Sequence, residues 1–229
     1  MADWYTWHDG YDEPGSGIAQ RLPAVQRQIV AALSQVPPGP ITVLSMCAGQ
    51  GRDLIGALAG HPRRHDVVAR LVELDARNAE VARRAAAGAG LSGVEVVVGD
   101  AAETDHYVPL APADLVLACG VFGNICDEDI RRTVDMCAAL CRTGGTVLWT
   151  RHRRPPDLVP QICAWFEESG FEQVWLSDPG EPFGLGAHRF AGRPRPLPRG
   201  ARIFGTFVGP ALGPDQQGGE FRRAEPEQS

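Results

Sequence analysis

The stretch VLSMCAGQGRDL, residues 43–54, decides the fold. It begins as the end of a short buried strand, ITVLSM at 41–46. Ala48-Gly49-Gln50-Gly51 follows, and a helix opens at once in DLIGALAG. Small residues between a strand and a helix let the backbone approach a ligand closely. A helix N-terminus placed there also favours anionic groups. Two nucleotide-binding layouts have this shape. The dinucleotide pattern GxGxxG needs a third glycine where this chain has Leu54, so that match is poor.

Strand and helix patterns alternate outward from this point. Upstream, QRLPAVQRQIVAALSQV (20–36) carries Leu22, Val25, Ile29, Val30 and Leu33 at helical spacing and stops at Pro37-Pro38-Gly39-Pro40. Downstream, strands are expected at 67–74, 94–99, 114–120 and 145–151. Helices follow the first, third and fourth of these, and a short irregular segment follows 94–99. FEQVWLS and GAHRFAG then read as two strands joined by the turn-rich DPGEPFGLG, which suits an antiparallel pair. The expected fold is α/β: a three-layer sandwich whose seven-stranded, mostly parallel sheet ends in a C-terminal antiparallel hairpin. In such sheets ligands bind at the carboxyl ends of the parallel strands, near the topological switch point.

Composition narrows the function. The chain has 229 residues, 44% hydrophobic and 22% charged, with a formal net charge of −6. That suits one soluble domain and disfavours a dedicated nucleic-acid binder. All 22 basic residues are Arg, which excludes Schiff-base, P-loop and general-base lysine chemistry. The six Cys form no CxxC pair, and no metal-ligand constellation appears. The start, MADWYTWHDG, is no signal peptide, and no apolar run is long enough to span a membrane, so a cytoplasmic location is expected. Residues 1–19 read as an N-terminal lid segment, 20–208 as the domain and 209–229 as a disordered tail.

The ordered strand ends resemble the class I S-adenosylmethionine-dependent methyltransferases. The first motif of that family, (D/E)xGxGxG, aligns on Ser45 to Gly51, with Ser45 in place of the acid and Cys47 in place of the first glycine. The resemblance implies S-adenosylmethionine as cofactor, held by Ser45, Cys47, Ala48, Gly49 and Gly51. It assigns the ribose hydroxyls to Glu73, whose carboxylate has two acceptor oxygens, and packs Leu74 on the adenine. Asp100 and the Ala101 N–H would read the adenine edge, and Cys119 begins a loop that runs past the methyl group.

The acceptor side is expected between three segments. Trp4, Trp7, His8 and Tyr11 would cover the cleft, Phe122 and Asn124 would line it, and Arg151 would bind an acidic group. His152 is the candidate general base, because its unperturbed pKa lies near neutrality. The family's amino-methylation motif (D/N)PP(Y/F) is absent at 119–125. These features point to a small-molecule acceptor, with no nucleic acid and no membrane, in a setting such as bacterial specialised metabolism. A methyltransferase-fold protein without methyl transfer, as a partner subunit or cyclase-like enzyme, stays open because Ser45 replaces the acid. A nicotinamide-dependent reductase is less favoured, and a homodimer stays open.

Overall fold

Seven strands form one sheet in the order β3-β2-β1-β4-β5-β7-β6 in the computed structural model, which describes residues 3–205 and Phe207. The tail expected at 209–229 lies outside the described residues. The strands are β1 (Ile41–Ser45), β2 (Val67–Glu73), β3 (Val94–Val98), β4 (Ala113–Ala118), β5 (Cys141–His152), β6 (Phe171–Leu176) and β7 (Phe183–Phe190). β1 to β5 run parallel, and β7 lies antiparallel between β5 and β6. The chain moves outward from β1 to β3, then returns to place β4 on the other side of β1. The switch point therefore falls between the carboxyl ends of β1 and β4.

The helices are α1 (Trp4–Trp7), α2 (Gly17–Gln35), α3 (Arg52–Ala59), α4 (Ala76–Gly88), α5 (Asp127–Leu140) and α6 (Val159–Glu168). α2 starts earlier than its apolar spacing suggests, because Ser16 accepts from Ala19 N and caps it. Its buried stripe is Val25, Ile29 and Leu33. With α3 and α4 it covers one face of the sheet, over Val43, Leu71, Leu117 and Leu148. α5 and α6 cover the other face, over Val116, Val147 and Trp149. Apolar packing on both faces explains why the central strands read as unbroken apolar runs.

The segment from Arg193 to Gly205, rich in Arg and Pro, follows β7. It runs back over the α5 face as a strap. Thr104 N donates to Ala201 O (3.0 Å), Ile203 N to Ala102 O (2.7 Å) and Gly205 N to the Asp129 carboxylate (2.7 Å). Ile203 and Phe204 are buried in that core. The strap thus carries residues from beyond β7 back to the carboxyl edge of the sheet.

Candidate active site

The nucleotide-type loop is built by backbone geometry. Cys47, Gly49 and Gly51 all have positive φ, at 47°, 55° and 68°. Gly51 is the N-cap of α3, and a Cβ there would stand 2.7 Å from Ile55 Cδ1. Gly49 N donates to Glu73 Oε2 (2.7 Å), and Asp75 N donates to Glu73 Oε1 (2.8 Å). One carboxylate thereby ties the loop after β1 to the turn after β2. Burial raises the Glu73 pKa, and these N–H donors oppose the shift.

A cavity of about 450 Å³ lies at this edge. Its floor comes from four strand ends: Cys47, Ala48, Gly49 and Gln50 after β1, Glu73 and Leu74 after β2, Asp100 and Ala101 after β3, and Cys119, Gly120 and Asn124 after β4. Leu74 is 71% exposed beside Glu73, an apolar surface that a planar ring would cover. Tyr107 Oη donates to Ala101 O (2.7 Å), and Asp100 Oδ1 accepts from Ala102 N (2.9 Å), so the third turn is held. Burial pushes the Cys47 and Cys119 thiols far up, and both stay protonated at neutral pH. The dimensions and donor set fit an adenosine-containing cofactor: an acceptor pair for a cis-diol, an apolar shelf and a carboxylate at a held turn.

Both ends of the described chain contribute to the roof. Trp4, Trp7, His8 and Tyr11 enter from the lid segment, and Phe204, Gly205 and Phe207 from the strap and just beyond it. The lid is anchored by charge: Asp12 takes the Arg52 guanidinium through both oxygens (2.8 and 3.2 Å), and Asp3 takes Arg77 (2.7 Å). His8 is buried, with Nδ1 2.6 Å from Trp4 O. A carbonyl can only accept, so Nδ1 carries the hydrogen and Nε2 presents a lone pair. That Nε2 lies against Gly49, only 2.2 Å from where a Cβ would stand. Burial lowers the His8 pKa, which keeps the ring neutral at pH 7.

Several expected residues lie elsewhere. Ser45 is buried within β1, between Leu71 and Leu117 of the neighbouring strands, and does not line the cavity. Gly51 faces Ile55 and Leu71 instead. Phe122 is fully buried against Trp149 (5.9 Å between centroids) and Phe166 (6.4 Å), a core position. Arg151 is buried and donates to the Phe122 carbonyl. His152 is absent from the cavity wall: β5 keeps pairing with β7 through His152 and Phe183, which holds the residue in the sheet. Its ring packs near Gly123, and its Nδ1 has no partner.

Sequence reasoning missed Arg21, Leu22, Val25, Arg52, Asp53 and Arg202, all of which line the cavity. Arg21 had a legible signal. It stands four residues before Val25, so helical spacing puts a cation on the buried stripe of α2. Arg202 had none, since its partner Asp100 (2.8 Å) is 102 residues away.

A family model described as a methyltransferase domain matches residues 43–145. No curated protein matches the chain in sequence. Among solved structures, an O-methyltransferase family protein from Burkholderia thailandensis superposes with a TM-score of 0.56 at 17% identity, covering 73% of this chain. The chain spans 56% of that protein's length. An RNA methyltransferase from Salinibacter ruber, in complex with S-adenosyl-L-homocysteine, gives 0.51 at 18% identity, over 77% of this chain and 97% of the other. The fibrillarin pre-rRNA processing protein of Methanococcus jannaschii gives 0.55 at 15%, over 74% and 76%. Sheet order, strand-end loops and the matched segment agree: residues 43–145 are similar to a methyltransferase domain, and the chain has the fold of these solved methyltransferases.

Proposed function

We propose that this protein transfers a methyl group from S-adenosylmethionine to a small, largely apolar acceptor. One observation carries the reading: a single cavity joins Glu73, Leu74 and Asp100 on its floor to Trp4, Trp7 and Phe207 on its roof. Glu73 would take the ribose hydroxyls, Leu74 the adenine face and Asp100 the exocyclic amine. When bound, the cofactor supplies an already activated methyl group. The chain's own work is to align the acceptor, exclude water and hold a proton acceptor ready. His8 fits that last role better than His152, because His8 lines the cavity and His152 does not.

A small acceptor is favoured over RNA for two reasons. Aromatic rings close the cavity from two sides. The strap's Arg202 is also paired with Asp100 (2.8 Å) and Glu103 (3.9 Å), so it offers no unpaired charge to a phosphate backbone. No helix among the described residues is long and apolar enough to cross a membrane.

Calorimetry with S-adenosylmethionine, S-adenosylhomocysteine and nicotinamide nucleotides tests the cofactor. Transfer of labelled methyl to a panel of small phenols, carboxylic acids and RNA then tests the acceptor. Binding of the sulfonium cofactor with transfer to small molecules is expected. Nicotinamide binding, or transfer to RNA alone, would overturn the reading.

A further inference from the structure

Trp4, Trp7, His8 and Tyr11 roof the cavity from one short segment, and little helix stability holds that segment down. α1 is a single turn with no buried residue, and the 3-10 turn after it, His8–Asp12, buries only His8. Helical pieces this short are not stable by themselves. Besides the seat of His8 and the Trp4–Phe207 contact, the segment is held by two arginines of the body.

Each arginine grips the lid twice, by an acid and by a ring. Asp12 takes Arg52 through both oxygens, and the same guanidinium lies 5.3 Å from the centre of the Tyr11 ring. Asp3 takes Arg77 Nη2 (2.7 Å), and that guanidinium lies over the Tyr5 ring at 4.8 Å. The two catches stand at opposite ends of the lid. Past Asp12 the chain is exposed from Glu13 to Gly15, and a Cβ at Gly15 would meet nothing within 4 Å. Ser16 then caps α2 and fixes the far side of this turn.

Both arginines also keep a partner on the body. Arg52 Nε donates to Gln50 Oε1 (3.0 Å), and Gln50 Nε2 donates to Asn78 Oδ1 (3.3 Å). Arg77 Nη2 donates to Asp75 Oδ2 (2.6 Å), and Asp75 N is held by Glu73. Release of the lid therefore strands no charge: Asp3 and Asp12 pass into water, and the arginines stay bonded. The catches are solvated, with the Asp12 side chain 70% exposed and that of Asp3 51%. Ion pairs of this kind are weak and screened by salt. Weak, paired contacts suit a segment that must let go as well as close.

We propose that residues 3–12 are a gate that swings about the turn at 13–16 when Asp3–Arg77 and Asp12–Arg52 release, and that this opening sets the rate at which the cavity exchanges its ligand. Gln50 and Asp75 keep the two arginines in place for reclosure. The four roofing side chains leave together, because one segment carries them. Ionic strength is then a direct control on exchange.

Stopped-flow release of S-adenosylhomocysteine tests the gate on wild type, Arg52→Gln, Arg77→Gln and the double variant, at about 0.05 and 0.5 M salt. Each single substitution is expected to speed release about threefold and the pair about tenfold, the scale of exposed ion pairs backed by ring contacts. High salt should speed release from wild type and leave the double variant nearly unchanged. Asp3→Asn with Asp12→Asn should match the arginine pair; it leaves the body of the protein untouched, and Asn still caps α1. Amide exchange of residues 3–12, followed with no ligand present, should rise in the same order. Release that ignores both salt and the double variants overturns the gate. Faster release with unchanged amide exchange also overturns it, since the arginines would then act on the ligand itself. The amide measurement needs no cofactor. If S-adenosylhomocysteine fails to bind while amide exchange follows the catches, the cofactor reading falls and the ionic gate stands.

Discussion

Trp4 and Phe207 meet edge to face, with ring centroids 5.3 Å apart and planes at 72°. One belongs to the lid and the other lies just beyond the strap, and their contact joins two segments that close the cavity separately. An aromatic pair of this geometry adds about 0.5–1.5 kcal/mol beyond the area it buries. Trp4→Ala, Phe207→Ala and the double variant should therefore couple. Calorimetric affinities for S-adenosylhomocysteine should show a double-variant loss about 1 kcal/mol smaller than the sum of the single losses. Strict additivity would mean that the two closures act independently.

Glu73 has a structural duty beside the ligand-binding role proposed for it. Glu73→Ala removes the acceptor for Gly49 N and Asp75 N together with the proposed acceptor for the ribose. Ligand affinity should fall by about 2–3 kcal/mol, and the thermal midpoint should fall too. Wild-type affinity in this variant would remove the ribose assignment.

Gly49→Ala should evict His8. The added methyl would stand 2.2 Å from His8 Nε2 in a backbone conformation that side chains rarely adopt. Trp4 and Trp7, two of five Trp, should then change their fluorescence, and turnover should drop at least tenfold, about 1.4 kcal/mol in barrier. His8→Ala should lower turnover with little change in cofactor affinity, while His152→Ala leaves turnover near wild type. The reverse ranking would restore His152 as the base.

His188 gives the fold an acid sensitivity. It is fully buried, stacks on Phe166 (4.6 Å), and its Nδ1 accepts from Trp149 Nε1 (3.1 Å). Nε2 has no partner, and burial lowers the pKa to about 4 from 6.5. Below 6.5 the unfolded chain takes a proton that the folded chain refuses until about 4. The stability is present above pH 6.5 and lost as pH falls through that window, by about 3 kcal/mol in all. Denaturant midpoints should decline between pH 6.5 and 4 in wild type and decline less in His188→Gln. Parallel curves would assign the acid sensitivity to other groups.

The legible parts were those written in local patterns. Val43 to Leu54 gave strand, loop and helix, because apolar runs and glycines act over a few residues. Glu73 and Asp100 were legible because each follows a strand end, and the terminal hairpin because its two strands lack a helix between them. The illegible parts depend on distant contacts. Phe122 has the composition of a pocket residue and becomes core because Trp149 and Phe166 surround it. His152 fell out of the cavity because β5 keeps its register with β7 to the last residue. Nothing near Arg202 announces that Asp100 waits for it across the fold.

Cys47 and Cys119 sit on the floor of the cavity, where an electrophilic sulfonium is proposed to rest. A thiolate at either position would be a competing nucleophile, and the protein would alkylate itself. The burial that drives both thiols far above their usual pKa keeps them in the unreactive form. The same burial thus keeps either sulfur from competing for the methyl group that the cavity is proposed to receive.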